Sequence, residues 1–396
     1  MKRLSCKEML SKVFLVFFIV GYSFAAENEF DTIPGTSKSP VIATLFEWNF
    51  GDIAEECETF LGPSGYSAVQ VSPVFEHARI VRPYWNRRIE GTWHERYQPV
   101  SFKIHSRSGT MEQFANMVTR CNAAGVRVIV DLEINHMSTD YDGIGIGGSS
   151  YRGSYKEYPA AGFTSNDFHD YPECPTRSLQ IEDYNSLVQV KNCEHFGRKD
   201  LNHQRANVQY TIVNALRELL GAGVAGFRIE SARHIWPEHL AKMFEPLRLN
   251  QQFPGNSRPF IVNDVRTCCG CGEQVASSSE YTDLGKVAEY CYQELLFKVF
   301  VREEYKLKKL PKLIKRAQLT PSEKAIVFVD NAELQRELHV DGLNFRNHKK
   351  LKLATAFMLA WPYGKSDSQA KIHLTINTSS RNAKYYEQLR MAAIVK

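Results

Sequence analysis

Short apolar runs recur along this chain. Each ends in polar or charged residues, and longer helix-like stretches lie between them. The runs are VIATLF (41–46), SAVQVS (67–72), VRVIVDLEI (126–134), GVAGFRI (223–229), PFIVNDV (259–265), KVAEY (286–290), AIVFVD (325–330) and AFMLAWP (356–362). Between most of them lie amphipathic segments such as QYTIVNALRELLGAG, where Ile212, Leu216, Leu219 and Leu220 repeat at helical spacing. Eight strands alternating with helices predict an α/β fold, a parallel (β/α)8 TIM barrel, and 396 residues are enough for one with an insertion. One interval breaks the rhythm. The stretch from the third strand to the helix near Asn207 is rich in Gly, Ser, Tyr and Asp and is too long for a plain connection. It predicts an inserted subdomain after the third strand, over 137–200, with the barrel formed by 26–136 and 201–396.

Residues 1–25 read as a secretory signal peptide. A basic segment, MKRLSCKEMLSK, precedes the apolar VFLVFFIVGYSFA, which closes on the small-x-small pattern Ser23-Phe24-Ala25. The alternative is a membrane anchor, for which the apolar run is short. Loss of Lys2, Arg3, Lys7, Glu8 and Lys12 with this leader lowers the formal charge from +5 to +2. So small a surplus does not point to nucleic acid. The nine cysteines become eight without Cys6, and an even number in a secreted chain reads as disulfides. TCCGCG, with Cys268, Cys269 and Cys271, together with Cys291, leaves metal binding open as the alternative.

The chemistry lies in the polar residues at the strand ends. Asp131, Asn135 and His136 follow the third strand, and Arg228, Glu230 and His234 the fourth. Asn263 and Asp264 end the fifth, while Asp330, Asn331 and Glu333 end the seventh. A single carboxylate of this kind serves equally well as a cap or a salt-bridge partner. Several on one barrel face suit glycoside hydrolysis, which needs a carboxylate nucleophile and a carboxylic acid flanking the bond.

The segments LFEWNFGDIAEECE, GYSAVQVSPV, ERYQPVSF, MVTRCNAAGVRVIVDLEINHM, GVAGFRIESARHIWP, FVDNAELQR and FMLAWPYG carry a resemblance. Over roughly residues 38–396 the chain resembles the animal-type alpha-amylases of glycoside hydrolase family 13. The resemblance implies a structural calcium held by the side chains of Asn135 and Asp200 and the backbone oxygens of Lys191 and His234. It implies disulfides Cys57–Cys121 and Cys174–Cys193. A third family pair is missing, with His105 at one of its positions. Trp93, Tyr97, His136, Arg228 and His234 match substrate-site residues, and His94 stands where a second stacking tryptophan is usual. Arg228 and Asn331 match two of three chloride ligands; the third falls near Lys365-Ser366-Asp367, which makes chloride binding doubtful. The β-sandwich that usually follows the barrel is expected to be absent. The implied partner is an α-glucan, bound by a secreted monomer that engages neither nucleic acid nor membrane.

The three catalytic positions depart from the family together. The resemblance implies Asp as nucleophile where this chain has Glu230, Glu as acid where it has Asp264, and Asp as third carboxylate where it has Glu333. Ala332 replaces the usual His. Misplacing a catalytic group by about 1 Å costs on the order of 10²-fold. Two outcomes follow: a retaining hydrolase of internal α-1,4-glucosidic bonds with reduced activity, or an inactive relative that binds glucan or a protein partner through the same cleft.

Overall fold

Side chains on a strand alternate between its two faces, and in this chain the alternation separates two cores. A computed structural model of the protein describes residues 30–35, 41–80, 82–84, 87–89, 91–267, 269, 275–336, 342–366, 369–370 and 372–377. The expected leader at 1–25 lies outside them. Eight parallel strands close into a barrel: β1 (Val41–Phe46), β2 (Ala68–Val71), β3 (Arg127–Glu133), β4 (Gly226–Glu230), β5 (Phe260–Asn263), β6 (Lys286–Ala288), β7 (Ala325–Phe328) and β8 (Ile372–Asn377). β8 pairs with both β7 and β1, which closes the ring.

Ile42, Ala68, Ile129, Phe260, Val262, Ala288, Ile326 and Phe328 form one buried cluster. Their strand neighbours Leu45, Val69, Val71, Val128, Val130, Phe227, Ile229, Ile261 and Val327 belong to another, shared with helix residues. The first is the barrel interior and the second the layer between strands and helices. β3 and β4 carry the alternation to the mouth of the barrel. Ile129, Asp131 and Glu133 share one face of β3, and Gly226, Arg228 and Glu230 share one face of β4. The register sets Arg228 beside Asp131 and Glu230 beside Glu133. Gly226 is required at the base: a Cβ there would lie 2.4 Å from the Phe260 carbonyl oxygen.

Helices follow the strands, among them α1 (Phe50–Glu56), α2 (Met111–Ala123), α3 (Ala206–Gly221), α4 (Pro237–Phe244), α5 (Tyr290–Phe300), α6 (Leu310–Arg316) and α7 (His348–Ala360). A capping box of Thr110 and Gln113 starts α2, and α3 buries Ile212, Leu216, Leu219 and Leu220 as their spacing predicts. Disulfide Cys57–Cys121 ties the end of α1 to α2.

The eighth strand differs from the expectation. AFMLAWP is the end of α7, which stops at Ala360, and the barrel closes with Ile372–Asn377. A short apolar run has no period of its own to separate a strand from a buried helix end. Between β3 and α3 the chain forms a two-stranded antiparallel ribbon (Asp142–Ile144 with Ser150–Arg152), several single turns and a short helix, Leu187–Asn192, with Cys174–Cys193 across it. A second excursion was not expected. After β2, Phe75–His77 and Pro99–Ser106 pair antiparallel, and Trp93–Tyr97 forms a turn that enters the barrel mouth.

Candidate active site

The C-terminal ends of the strands surround a cleft of about 770 Å³. Trp93, Tyr97, Asp131, Glu133, Arg228, Glu230, His234, Asp264, Asn331 and Glu333 all line it. Arg228 is its electrostatic centre. Its Nη1 donates to Asp131 Oδ1 at 2.7 Å and also to Glu230 Oε2, while Nη2 donates to Asp264 Oδ2. Burial opposes the charge on Arg228, but Asp131, Asp264 and Glu230 outweigh it and hold the guanidinium well above its usual range. A cation so enclosed keeps three carboxyl groups together that would otherwise repel one another.

The carboxyl groups differ in environment. Asp264 is pushed up to about 7, first by burial and then by the charge of Glu230, with Arg228 pulling the other way. The Tyr290 hydroxyl donates to its Oδ2 at 3.0 Å, and its Oδ1 is buried with no hydrogen-bond partner. Asp131 is raised to about 6, also chiefly by burial, and accepts from the Tyr97 hydroxyl at 2.8 Å. Glu230 ends β4 and is followed by Ser231 at a φ of 57°, a left-handed turn that carries the chain away from the mouth. Glu333 is bound by Arg266 at 2.7 Å, and both side chains are open to solvent.

Trp93 and His94 stack at 3.8 Å, which sets two flat rings side by side at the cleft. Trp93 also meets Tyr97 edge-on at 5.8 Å. His136 is set back from the cleft. It is buried, donates Nε2–H to the Tyr97 carbonyl at 2.9 Å, and lies 3.4 Å from Glu133 Oε1. The Glu133 carboxyl stands at the cleft wall, and His136 holds the Tyr97 backbone from behind. His234 faces the cleft, donates Nδ1–H to the Val190 carbonyl at 2.8 Å, and is held neutral, its value lowered to about 3 chiefly by burial.

Asn135 and Asp200 are brought together, with Asn135 Nδ2 donating to Asp200 Oδ1 at 3.2 Å and His169 Nδ1–H to Oδ2 at 2.7 Å. Asn135 Oδ1 is buried without a hydrogen-bond partner. A carboxylate beside an orphaned amide oxygen fits a hard, oxygen-seeking cation. Among the described residues no three His, Cys, Asp or Glu side chains gather as a metal site, so such a cation depends on backbone oxygens as well. Lys191 and His234 adjoin each other: the Lys191 ammonium donates to the Ile235 carbonyl at 3.1 Å. Arg228 and Asn331 both face the cleft, but both Nη atoms of Arg228 are engaged by carboxylates and Asn331 Oδ1 caps Leu334 N at 2.9 Å. A third disulfide, Cys269–Cys291, joins the loop after Asp264 to the start of α5; Cys268 and Cys271 lie outside the described residues.

Sequence reasoning gave no role to Glu133, Tyr290, Arg266, His195 or Arg198. Only Glu133 had a signal: the alternation Asp131, Glu133 at the end of an apolar strand matches Arg228, Glu230 on the next one.

The model of the alpha-amylase catalytic domain matches residues 59–361. This chain belongs to the alpha-amylase family. An alpha-amylase from Dermatophagoides pteronyssinus is 43% identical over 330 residues, covering 82% of this chain and 64% of that protein. An alpha-amylase-related protein from Drosophila melanogaster is 41% identical over 329 residues, covering 82% of this chain and 62% of that one. The chain thus spans less than two thirds of the length of these relatives. Among solved structures, a mutant of alpha-amylase I from Eisenia fetida in complex with maltohexaose superposes with a TM-score of 0.79 at 34% identity, covering 87% of this chain and 68% of that one. This family of glycoside hydrolases fits both the barrel and the carboxyl groups at its mouth. Among the described residues no helix is long and apolar enough to cross a membrane.

Proposed function

We propose that the protein is a secreted, monomeric alpha-amylase-type hydrolase that cleaves internal α-1,4-glucosidic bonds of starch or glycogen with retention and at reduced rate. One observation carries this reading. Glu230 and Asp264 are held on the two ends of one guanidinium, and only Asp264 also receives a phenolic hydrogen bond. A shared clamp keeps the two carboxyl groups close, as retaining enzymes require with a gap of about 5–5.5 Å. Asp264, raised to about 7, is protonated below that pH and half protonated at it. It gives that proton to the glycosidic oxygen as the C1–O bond breaks, and a Glu230 oxygen bonds to C1. Water then attacks C1 of the glycosyl ester, Asp264 takes the water's proton, and Glu230 leaves as carboxylate. Glu333 serves as the third carboxylate once freed from Arg266. Calcium, held by Asn135 and Asp200 with the backbone oxygens of Lys191 and His234, would fasten the inserted segment, taken as 137–200, to the barrel. Chloride has no free cation to meet at Arg228. Disulfides suit the oxidising compartment that secretion implies.

The Arg266–Glu333 pair favours a second reading, glucan binding without turnover, because it holds the third carboxylate in an ion pair at the cleft. Reducing-sugar release from soluble starch decides between the two. On the first reading the natural chain turns over and Glu230→Ala abolishes it. If only the triple variant Glu230→Asp, Asp264→Glu, Glu333→Asp turns over, the scaffold is sound and the natural carboxylates are silent.

A further inference from the structure

Two short runs concentrate the positive charge of this chain. Residues 306–316, KLKKLPKLIKR, hold six cations and no acid, and residues 346–352, RNHKKLK, hold four cations and no acid. The whole chain has a formal charge of only +5, so everything outside these two runs sums to −5. Charge segregated in this way marks a surface that meets a charged partner. The two runs come together in the fold. α5 ends at Phe300 and leads into the first run, which closes with α6. The second run opens α7, whose Phe357 ring lies 6.2 Å from that of Phe300. Lys350 donates to the Val301 carbonyl at 3.2 Å and pairs with Glu303 at 2.8 Å, which ties the start of α7 to the turn after α5.

Packing turns these cations outward. α6 buries Leu310 and Ile314, one turn apart, and leaves Lys312, Lys315 and Arg316 exposed; Lys308 and Lys309 are exposed just before it. The acids on α5 and in the turn after it are already paired: Glu294 with Lys298, Glu303 with Lys350 and Glu304 with Arg302. By contrast, among the described residues the side chains of Lys306, Lys308, Lys309, Lys312, Lys315 and Arg316 make no ion pair and no hydrogen bond. The same holds for Lys349 and Lys352 on α7. That helix begins with His348, Lys349 and Lys350 and has no acid in its first turn, so cations crowd the positive end of its dipole. This many like charges held together repel one another, and a bound polyanion relieves the repulsion. None of these residues lines the cleft.

The partner's chemistry follows from the kind of cation and from the compartment. Eight of the ten cations in the two runs are lysines. A lysine is a point charge on a flexible stem, so a row of them suits a long polyanion better than one small group gripped by a rigid fork. The disulfides Cys57–Cys121, Cys174–Cys193 and Cys269–Cys291 suit an oxidising compartment. Outside the cell the abundant polyanions are sulfated polysaccharides, whereas anionic lipid faces the cytoplasm. Leu307 and Leu353 stand exposed singly among the lysines, too few for a face that enters lipid. We propose that α6, the turn before it and the start of α7 form a docking surface for a sulfated polysaccharide, apart from the cleft. The surface itself is argued from geometry; the choice of polyanion rests on the reading of the chain as secreted.

Binding of the full chain to immobilised heparin, read by surface plasmon resonance over a range of salt, tests this. The natural chain should bind heparin at about 0.15 M salt and should not bind heparin stripped of its sulfates. The pair Lys309→Ala, Lys312→Ala should weaken binding on the order of tenfold and lower the slope of log affinity against log salt by about two. The pair Lys309→Arg, Lys312→Arg keeps the charge and should bind like the parent. The pair Arg217→Ala, Lys242→Ala removes equal charge from α3 and α4 and should change affinity by less than about twofold. Melting temperatures should hold throughout, because all four side chains are exposed. Equal losses in the two alanine pairs, or none in either, overturn the surface. So does equal binding of the desulfated chain. Failure of the natural chain to bind heparin also overturns it, and leaves the starch test of the cleft untouched. Tighter binding to duplex DNA or to phosphatidylserine vesicles than to heparin overturns the sulfated polysaccharide as the partner.

Discussion

Asp264 is one methylene shorter than the glutamate that the resemblance implies at its position, and its buried environment raises its pKa to about 7. Removing a carboxyl from water disfavours its charged form, and the nearby Glu230 adds to this; Arg228 offsets only part. The proton is present below about pH 7 and is lost as pH rises through that value. We therefore expect kcat/KM on starch to fall on the alkaline side with an apparent pKa near 7. Asp264→Asn should remove that limb and cost about 10²–10⁴-fold on starch. It should cost far less on an activated aryl maltoside whose leaving group needs no proton. Equal losses on both substrates would remove Asp264 from the role of acid. That Asp264 and Glu230 stand at strand ends was legible from the residues alone. That both share Arg228 was not, because a guanidinium's reach across three strands depends on register, which no local pattern records.

At the scale of elements, the alternation of apolar residues was legible wherever a strand carried its own period. β3 is the clear case, with Val128, Val130 and Leu132 facing the helices and Ile129, Asp131 and Glu133 facing inward. β8 is the counter-example. Its alternating IHLTIN is a proper strand pattern, but the nearby AFMLAWP is more apolar and is the stronger strand signal of the two. The excursion after β2 has no such signature: Phe75–His77 is only three residues long, and among the described residues its partner Pro99–Ser106 pairs outside the barrel sheet. The disulfide Cys57–Cys121 makes a test at this scale. It closes a loop of 64 residues that contains β2 and this whole excursion. Replacing both cysteines by serine should lower unfolding stability by about 2–5 kcal/mol. Urea unfolding followed by circular dichroism measures this, and a midpoint unchanged from the parent would mean that burial of Phe114, Met117 and Val118 alone holds α2 in place.

At the scale of the whole molecule, two bodies of chain meet at the cleft: a barrel that carries the carboxyl groups and an inserted segment that carries His195, Phe196 and Arg198. The seam between them is polar. Asp200 returns the segment to Asn135, just after β3, and His169 orients Asp200 from within the segment. The orphaned Asn135 oxygen at this seam is a cost that a bound cation would remove. Calcium binding only the folded chain at 100 times its dissociation constant would add about 2.7 kcal/mol. Chelation should therefore lower the melting temperature, and calcium should restore it. Asp200→Asn should abolish the response to both, because a neutral amide gives calcium a far weaker oxygen. The chelated protein should also lose maltoheptaose affinity along with stability, since loosening the seam loosens the cleft wall that the segment forms. A melting temperature indifferent to chelator in the natural chain would show that the hydrogen bonds from His234 to the Val190 carbonyl and from Lys191 to the Ile235 carbonyl hold the seam without a metal, and that the resemblance at Asn135 and Asp200 is inherited form without the ion.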